Sequence, residues 1–186
     1  MTRTYKEKVS FIISKRNIII ATFDAWDNAA YVGKAPELVV EDYILGTDIF
    51  FFIHDDSTRM YYSAIFQKCR LLQASHSHEY RCDSPTHKRF MKMVLNPCKN
   101  GDIEINNYLL REEAFDHTVT IYDWTQRGAP NLVKRCSICN KLNLKNQTDW
   151  IEPGELSKEK AQSFLVIHTV CPDCKDRGWK KVLASA

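Results

Sequence analysis

Residues 78–105 read HEYRCDSPTHKRFMKMVLNPCKNGDIEI, and the fold is decided by how this stretch alternates. HEYRC and KRFMKMVLNP are extended, β-rich runs, and the polar insertion between them carries Asp83, Ser84 and Pro85, residues whose turn chemistry predicts a surface hairpin loop. A third run, IEINNYLLRE, comes after CKNGD, in which Asn100-Gly101 is a hairpin signature. HTVTIYDW (residues 117–124) adds a further strand.

Upstream, VSFIISKRNIIIATFD holds two short apolar runs, Val9 to Ile13 and Ile18 to Phe23, joined by the polar turn SKRN, which predicts another hairpin. Asp24 is placed to cap a short helix carrying Trp26, Ala29 and Ala30, and Gly33 and Gly46 punctuate the segment between that helix and IFFFI. After IFFFI, the residues Tyr61, Ile65, Phe66, Cys69 and Leu72 recur at helical spacing, and Asp55, Asp56 and Ser57 precede them as caps. His54, Asp55 and Asp56 also have the composition of a metal or acid–base site, but capping explains the carboxylates more simply. His76 and His78 alternate near a strand end and, lacking a third ligand, are expected to be exposed. Hairpin, short helices, a longer helix and then strands predict an α+β fold, an antiparallel sheet flanked by helices. The Gly, Pro and Asn of TQRGAPNLVKR mark a linker, which divides the chain into a domain over 1–126, a linker over 127–133 and a small module over 134–186.

With 186 residues, 44% of them hydrophobic and 11% aromatic, the chain has ample material for a packed core. MTRTYKEKVSF lacks a signal-peptide core and no apolar run reaches the roughly 18 residues of a membrane span, so the expected address is cytoplasmic with no membrane partner. Net charge is +3, unevenly placed: from Gln126 onward there are 11 Lys/Arg against 6 Asp/Glu, and before it 15 against 17. Four thiolates around one dication would remove about two of the tail's five excess charges, so a solvated basic face is the simpler reading of it than a nucleic-acid surface.

The basic tail also holds CSIC and CPDC, with Cys136 and Cys139 separated from Cys171 and Cys174 by 31 residues. Each Cys-x-x-Cys turn presents two thiolates to one ion, and two such turns complete the tetrahedron that zinc accepts. His168, three residues before Cys171, stands close enough to replace a sulfur or to hydrogen-bond one. Iron suits four thiolates as well, and a thiol redox pair is the competing reading. Trp150, Ile151, Leu156, Phe164, Leu165 and Ile167 are the small core available to this segment, and PGELSKEKA has helix-start character. So few apolar groups would leave the module dependent on the metal, whose binding supplies about 10 kcal/mol or more. Cys69, Cys82 and Cys98 show no pairing pattern and read as buried small hydrophobes.

The element order, with its closing YRC strand, amphipathic strand, Asn-Gly turn and final strand, resembles the PAS domain over residues 9–123. LGTDIFFFIHDDSTRMYY, YRCDSPTHKRFMKM and CSICNK…W…E…HTVCPDC together are similar to a group of short bacterial proteins in which a PAS-like domain precedes a cysteine-pair module. The resemblance implies a PAS-like sheet followed by a zinc-ribbon-like module. It marks Arg81, Asp83 and Arg89 as a signature without assigning them a reaction. It also implies a pocket for flavin, haem or a small metabolite, for which Trp26, Phe51, Tyr61 and Phe66 are the candidate lining, although aromatic core packing is the simpler role for most of these.

Walker, Gly-x-Gly-x-x-Gly, Gly-x-Ser-x-Gly and His-Glu-x-x-His motifs are all absent from the sequence, and with only KDRGWKKVLASA after Cys174 a kinase, cyclase or helix-turn-helix output is not expected in these 186 residues. The expectation is a non-enzymatic sensory, signalling or interaction protein with a structural zinc. It would act through a homodimer or a separate signalling partner. Two alternatives stand beside it. One is a zinc-ribbon-like nucleic-acid binder using Trp179, Lys180 and Lys181, with steep salt dependence. The other is a thiol-based redox sensor that releases zinc on oxidation.

Overall fold

The computed structural model of the chain describes residues 8–24, 26–32, 41–53, 55–123, 133–145, 147–156 and 162–183. Its first hairpin is formed by β1 (Lys8–Ile13) and β2 (Ile19–Asp24), antiparallel with Phe11 opposite Thr22. In the turn, the Asn17 N–H donates to the Ser14 carbonyl at 2.8 Å, and Asn17 takes φ +65°, a conformation that asparagine tolerates better than most residues. Three helices come next: α1 (Trp26–Val32), α2 (Glu41–Ile44) and the long α3 (Asp56–Leu72). Between α2 and α3 a 3-10 turn, Ile49–Phe52, starts at Asp48, whose carboxylate accepts the Phe50 N–H at 2.9 Å.

β3 (His76–Arg81), β4 (His87–Pro97) and β5 (Ile103–Ala114) complete a five-stranded sheet of order β2-β1-β5-β4-β3. β5 runs antiparallel to β1 with Ile105 opposite Phe11 and Ile103 opposite Ile13, and these four side chains are buried on one face. The Asn-Gly turn forms as expected: Gly101 takes φ +86°, and the Cys98 N–H donates to the Asp102 carbonyl at 2.9 Å. Arg70 ties the two hairpin turns together, donating from Nε to the Gly101 carbonyl (2.8 Å) and from Nη2 to the Ser14 carbonyl (2.9 Å). The chain is thus a mixed α+β protein with a large antiparallel sheet.

The structure divides into two compact units, one within residues 1–54, 59–79 and 91–110 and the other within 55–58, 80–90 and 111–186. In the first, Ile13, Ile19, Ile44, Ile65, Leu95, Ile103 and Ile105 are fully buried, joined by Tyr61, Phe66 and Cys69 from α3. Of the three cysteines expected to be buried only Cys69 is so; Cys98 is half-buried, and Cys82, just past the end of β3, is exposed. Leu72 is 48% exposed instead of completing that helix face, because α3 ends there and Gln73 turns away at φ +49°. Tyr62, outside the expected face, is buried as well. His78 is also buried, against the expectation of exposure: Tyr62 Oη lies 3.3 Å from its Nε2 and the Tyr61 ring meets it edge-on.

The second unit contains a four-stranded sheet of order β6-β9-β7-β8, from β6 (Val119–Asp123), β7 (Val133–Cys136), β8 (Leu142–Asn143) and β9 (Gln162–Thr169). The strand anticipated over 117–124 therefore exists, but in this sheet, because Val119 and Ile121 share a face and Ile121 packs against the cluster of Val133, Leu142 and Val166. Leu156 and Phe164 join that cluster, and its centre is β7, β8 and β9. β9 runs parallel to both β6 and β7, while β7 and β8 form an antiparallel hairpin, so the module is not a ribbon of antiparallel hairpins alone. The linker expected over 127–133 lies outside the described residues up to 132, and Val133 already opens β7. The helix start expected in PGELSKEKA appears as a 3-10 turn, Pro153–Glu155, and residues 157–161 are outside the described set.

Candidate metal centre

β7 carries Cys136 at its end, and the chain reverses through Ser137, Ile138 and Cys139 before returning as β8. The reversal is closed by the Cys136 N–H donating to the Lys141 carbonyl and the Asn140 N–H donating to the Cys136 carbonyl, each at 2.9 Å. Asn140 takes φ +59° and is buried, so the turn needs a residue that accepts the left-handed region just after the second cysteine.

The second pair is built on a helix start. Cys171 immediately precedes α4 (Pro172–Leu183), and Pro172 supplies the fixed φ suited to the first helical position. The Cys174 N–H donates to Cys171 Sγ at 3.4 Å, so the cysteine sulfur occupies the place an N-cap oxygen usually takes. The positive end of the helix dipole then faces a group that is to carry negative charge.

All four sulfurs lie within 4.8 Å of one another, and Cys139 Sγ is 3.8 Å from Cys171 Sγ. A tetrahedron with Zn–S bonds of about 2.3 Å has edges of about 3.8 Å, so this separation fits a bound ion. Three cysteines are buried and Cys139 is half-buried. Cys136 Sγ accepts N–H bonds from Ile138 and Cys171, each at 3.4 Å, and the Arg177 guanidinium donates to Cys174 Sγ at 3.3 Å. These donors offset the charge that four thiolates would place on a single dication.

The ionisation pattern is that of thiols crowded against one another. Cys139, Cys171 and Cys174 hydrogen-bond to Cys136 and hold its thiol far below the usual range. Cys139 is pushed up by its bonds to Cys136, Cys171 and Cys174 and by burial, and Cys174 is pushed up chiefly by Cys136. Cys171 is raised by Cys136 and lowered more by Cys139 and Cys174, settling at about 7. Four sulfurs this close cannot all ionise in each other's company, whereas a divalent ion at their centre deprotonates them together. The residues present therefore fit a metal. His168 is not one of the grouped ligands; it stands on β9 opposite Arg135, one residue before Thr169, which pairs with Cys136.

Arg81, Asp83 and Arg89 are brought together. Arg81 is buried and donates from Nε and Nη2 to the two oxygens of Asp83 (3.0 and 2.5 Å) and from Nη1 to Glu152 Oε2 (2.6 Å). Asp83 Oδ1 also accepts the Arg89 N–H at 3.2 Å, and Arg89 Nε donates to Glu112 at 3.1 Å. Burial disfavours the Arg81 charge, but the bonds to Asp83 and Glu152 outweigh it and raise its pKa. The signature is thus an ion-pair hub that joins the β3–β4 hairpin to Glu152.

The aromatic candidates are dispersed by comparison. Tyr61 and Phe66 are core residues of α3, Trp26 meets Phe11 edge-on at 5.6 Å, and Phe51 is 59% exposed. His54 lies outside the described residues, as do the side chains of Trp179, Lys180 and Lys181.

Three contributors were not visible in the cysteine pattern. Ser137 Oγ donates to Asp55 Oδ2 at 3.0 Å, while Asp55 Oδ1 accepts the Thr58 N–H at 2.8 Å, so the carboxylate read as a helix cap also meets the metal turn. The Arg81 N–H donates to the Ile138 carbonyl at 2.8 Å. Glu152 is 71 residues from its partner Arg81, and no local period announces such a pair.

No family model matches the chain, and a search of curated proteins finds no match. Among the described residues no helix is long and apolar enough to cross a membrane.

Proposed function

We propose that the chain is a sensory or interaction protein without catalytic activity, in which a PAS-like domain is joined to a module held by a structural zinc. The observation that carries this reading is the mutual placement of the four sulfurs at the spacing of one tetrahedral ion. The PAS-like assignment is supported by the element order, a hairpin, short helices, one long helix and three strands on one antiparallel sheet. The signal would reach a homodimer partner or another protein in the cytoplasm.

Native mass spectrometry of protein purified without added metal or cofactor is the direct test. The expected result is one zinc per chain together with a retained small molecule or a dimer. A metal-free, ligand-free monomer that binds no zinc on titration would overturn the reading, and a single iron with visible absorption would reassign the metal.

A redox sensor is the second reading, favoured by the half-buried Cys139 lying 3.8 Å from Cys171 across the two pairs. It predicts zinc release and a Cys139–Cys171 disulfide on treatment with peroxide, both reversed by reductant.

A further inference from the structure

We propose that metal occupancy at the four-cysteine centre sets the first turn of α3 and the end of β3, acting through the two residues that separate Cys136 from Cys139. It rests on the metal reading above and adds a regulatory consequence to it. Ser137 and Ile138 bind no metal, yet each makes a bond elsewhere in the second unit. The Ile138 carbonyl accepts the Arg81 N–H at 2.8 Å, at the last residue of β3. Ser137 Oγ donates to Asp55 Oδ2 at 3.0 Å, and the other oxygen of that carboxylate caps α3 through the Thr58 N–H at 2.8 Å.

The geometry of this turn depends on the sulfurs. Cys136 Sγ accepts the Ile138 N–H, which orients the peptide whose neighbouring carbonyl meets Arg81. With a dication bound, Cys136 and Cys139 are pinned to one point and both outward bonds are held. With the ion gone, the turn keeps its backbone bonds but no ion fixes the two sulfurs to one point, and the bonds of Ser137 and Ile138 to their partners loosen. Thr58 then keeps a cap that is less firmly oriented, and Arg81 holds its backbone acceptor more weakly while its guanidinium stays paired with Asp83 and Glu152.

Amide exchange on the full chain, read by NMR during stepwise zinc loading under reducing conditions, tests the link. Protection of the Thr58 and Arg81 amides is expected to rise with zinc by at least about fivefold, the effect of gaining one oriented cap or its equivalent, while Ile105 in β5 stays constant. Ser137→Ala, loaded with the same one zinc, is expected to show Thr58 already exchanging at the zinc-free rate while Arg81 still responds; Ser137→Thr restores Thr58.

The proposal is overturned if zinc binds and neither amide responds in the unsubstituted chain. It is equally overturned if Thr58 in zinc-loaded Ser137→Ala keeps its full protection. A chain that binds no zinc at all fails the metal reading itself, which mass spectrometry distinguishes from loss of the link alone.

Discussion

Arg81 and Arg177 show how differently two guanidinium groups serve one unit. Arg81 is buried between two carboxylates, and the Asp83 side chain facing it is only 6% exposed. Arg81→Met strands a buried carboxylate without its partner, and urea denaturation is expected to show a loss of about 3–5 kcal/mol. Arg81→Lys is expected to recover little of it, because one ammonium cannot reproduce the fork on Asp83 plus the third bond to Glu152. Arg177 is exposed and touches the site through Cys174 Sγ. Arg177→Gln is expected to retain one zinc but bind it about 10–100-fold more weakly in competition with a chromogenic chelator. The pH dependence comes from the thiols: Cys139 and Cys174 are held above the usual thiol range, so filling the site expels their protons. Zinc affinity therefore falls as pH is lowered, and a chelator-competition series from pH 8 downward checks the sign.

At the scale of elements, the turn between β7 and β8 and the start of α4 carry the two cysteine pairs; the pairs were legible, whereas the helix behind the second pair was not anticipated. Cys-x-x-Cys is a local pattern, and the local backbone decides where two sulfurs point. The β1–β2 turn and the Asn-Gly turn were legible for the same reason. β6 was legible as a strand and not as a member of its sheet, since the alternation of Val119 and Ile121 reports a face but not which neighbours cover it. Burial of His78 escaped the sequence because its partner Tyr62 comes from α3, sixteen positions away on a different element. Asn140 carries the one demanding backbone angle of the β7–β8 turn. Asn140→Val is expected to destabilise the second unit by about 1–2 kcal/mol, and Asn140→Gly to be tolerated, as read by thermal melting of the zinc-loaded protein.

For the whole molecule, the two units rest on different kinds of stabilisation. Among the described residues, the first has a broad core of seven fully buried aliphatic side chains. The second centres on Val133, Leu142 and Val166, a small cluster whose stability a bound ion is expected to raise. Calorimetry of the full chain is expected to resolve two transitions, with chelation lowering only one; a single transition indifferent to chelator counts against a structural metal. Leu142→Ala, at a fully buried position, is expected to cost about 2–5 kcal/mol in the same transition.

The bond between Ser137 and Asp55 joins positions 82 residues apart in the chain, one inside the Cys136–Cys139 turn and the other at the head of a helix. Such a pair is expected to change together: where position 137 loses its hydroxyl, position 55 is released from keeping an acceptor for it, and the reverse. Position 138 lends only its carbonyl to Arg81, so it is expected to drift among apolar residues independently of both.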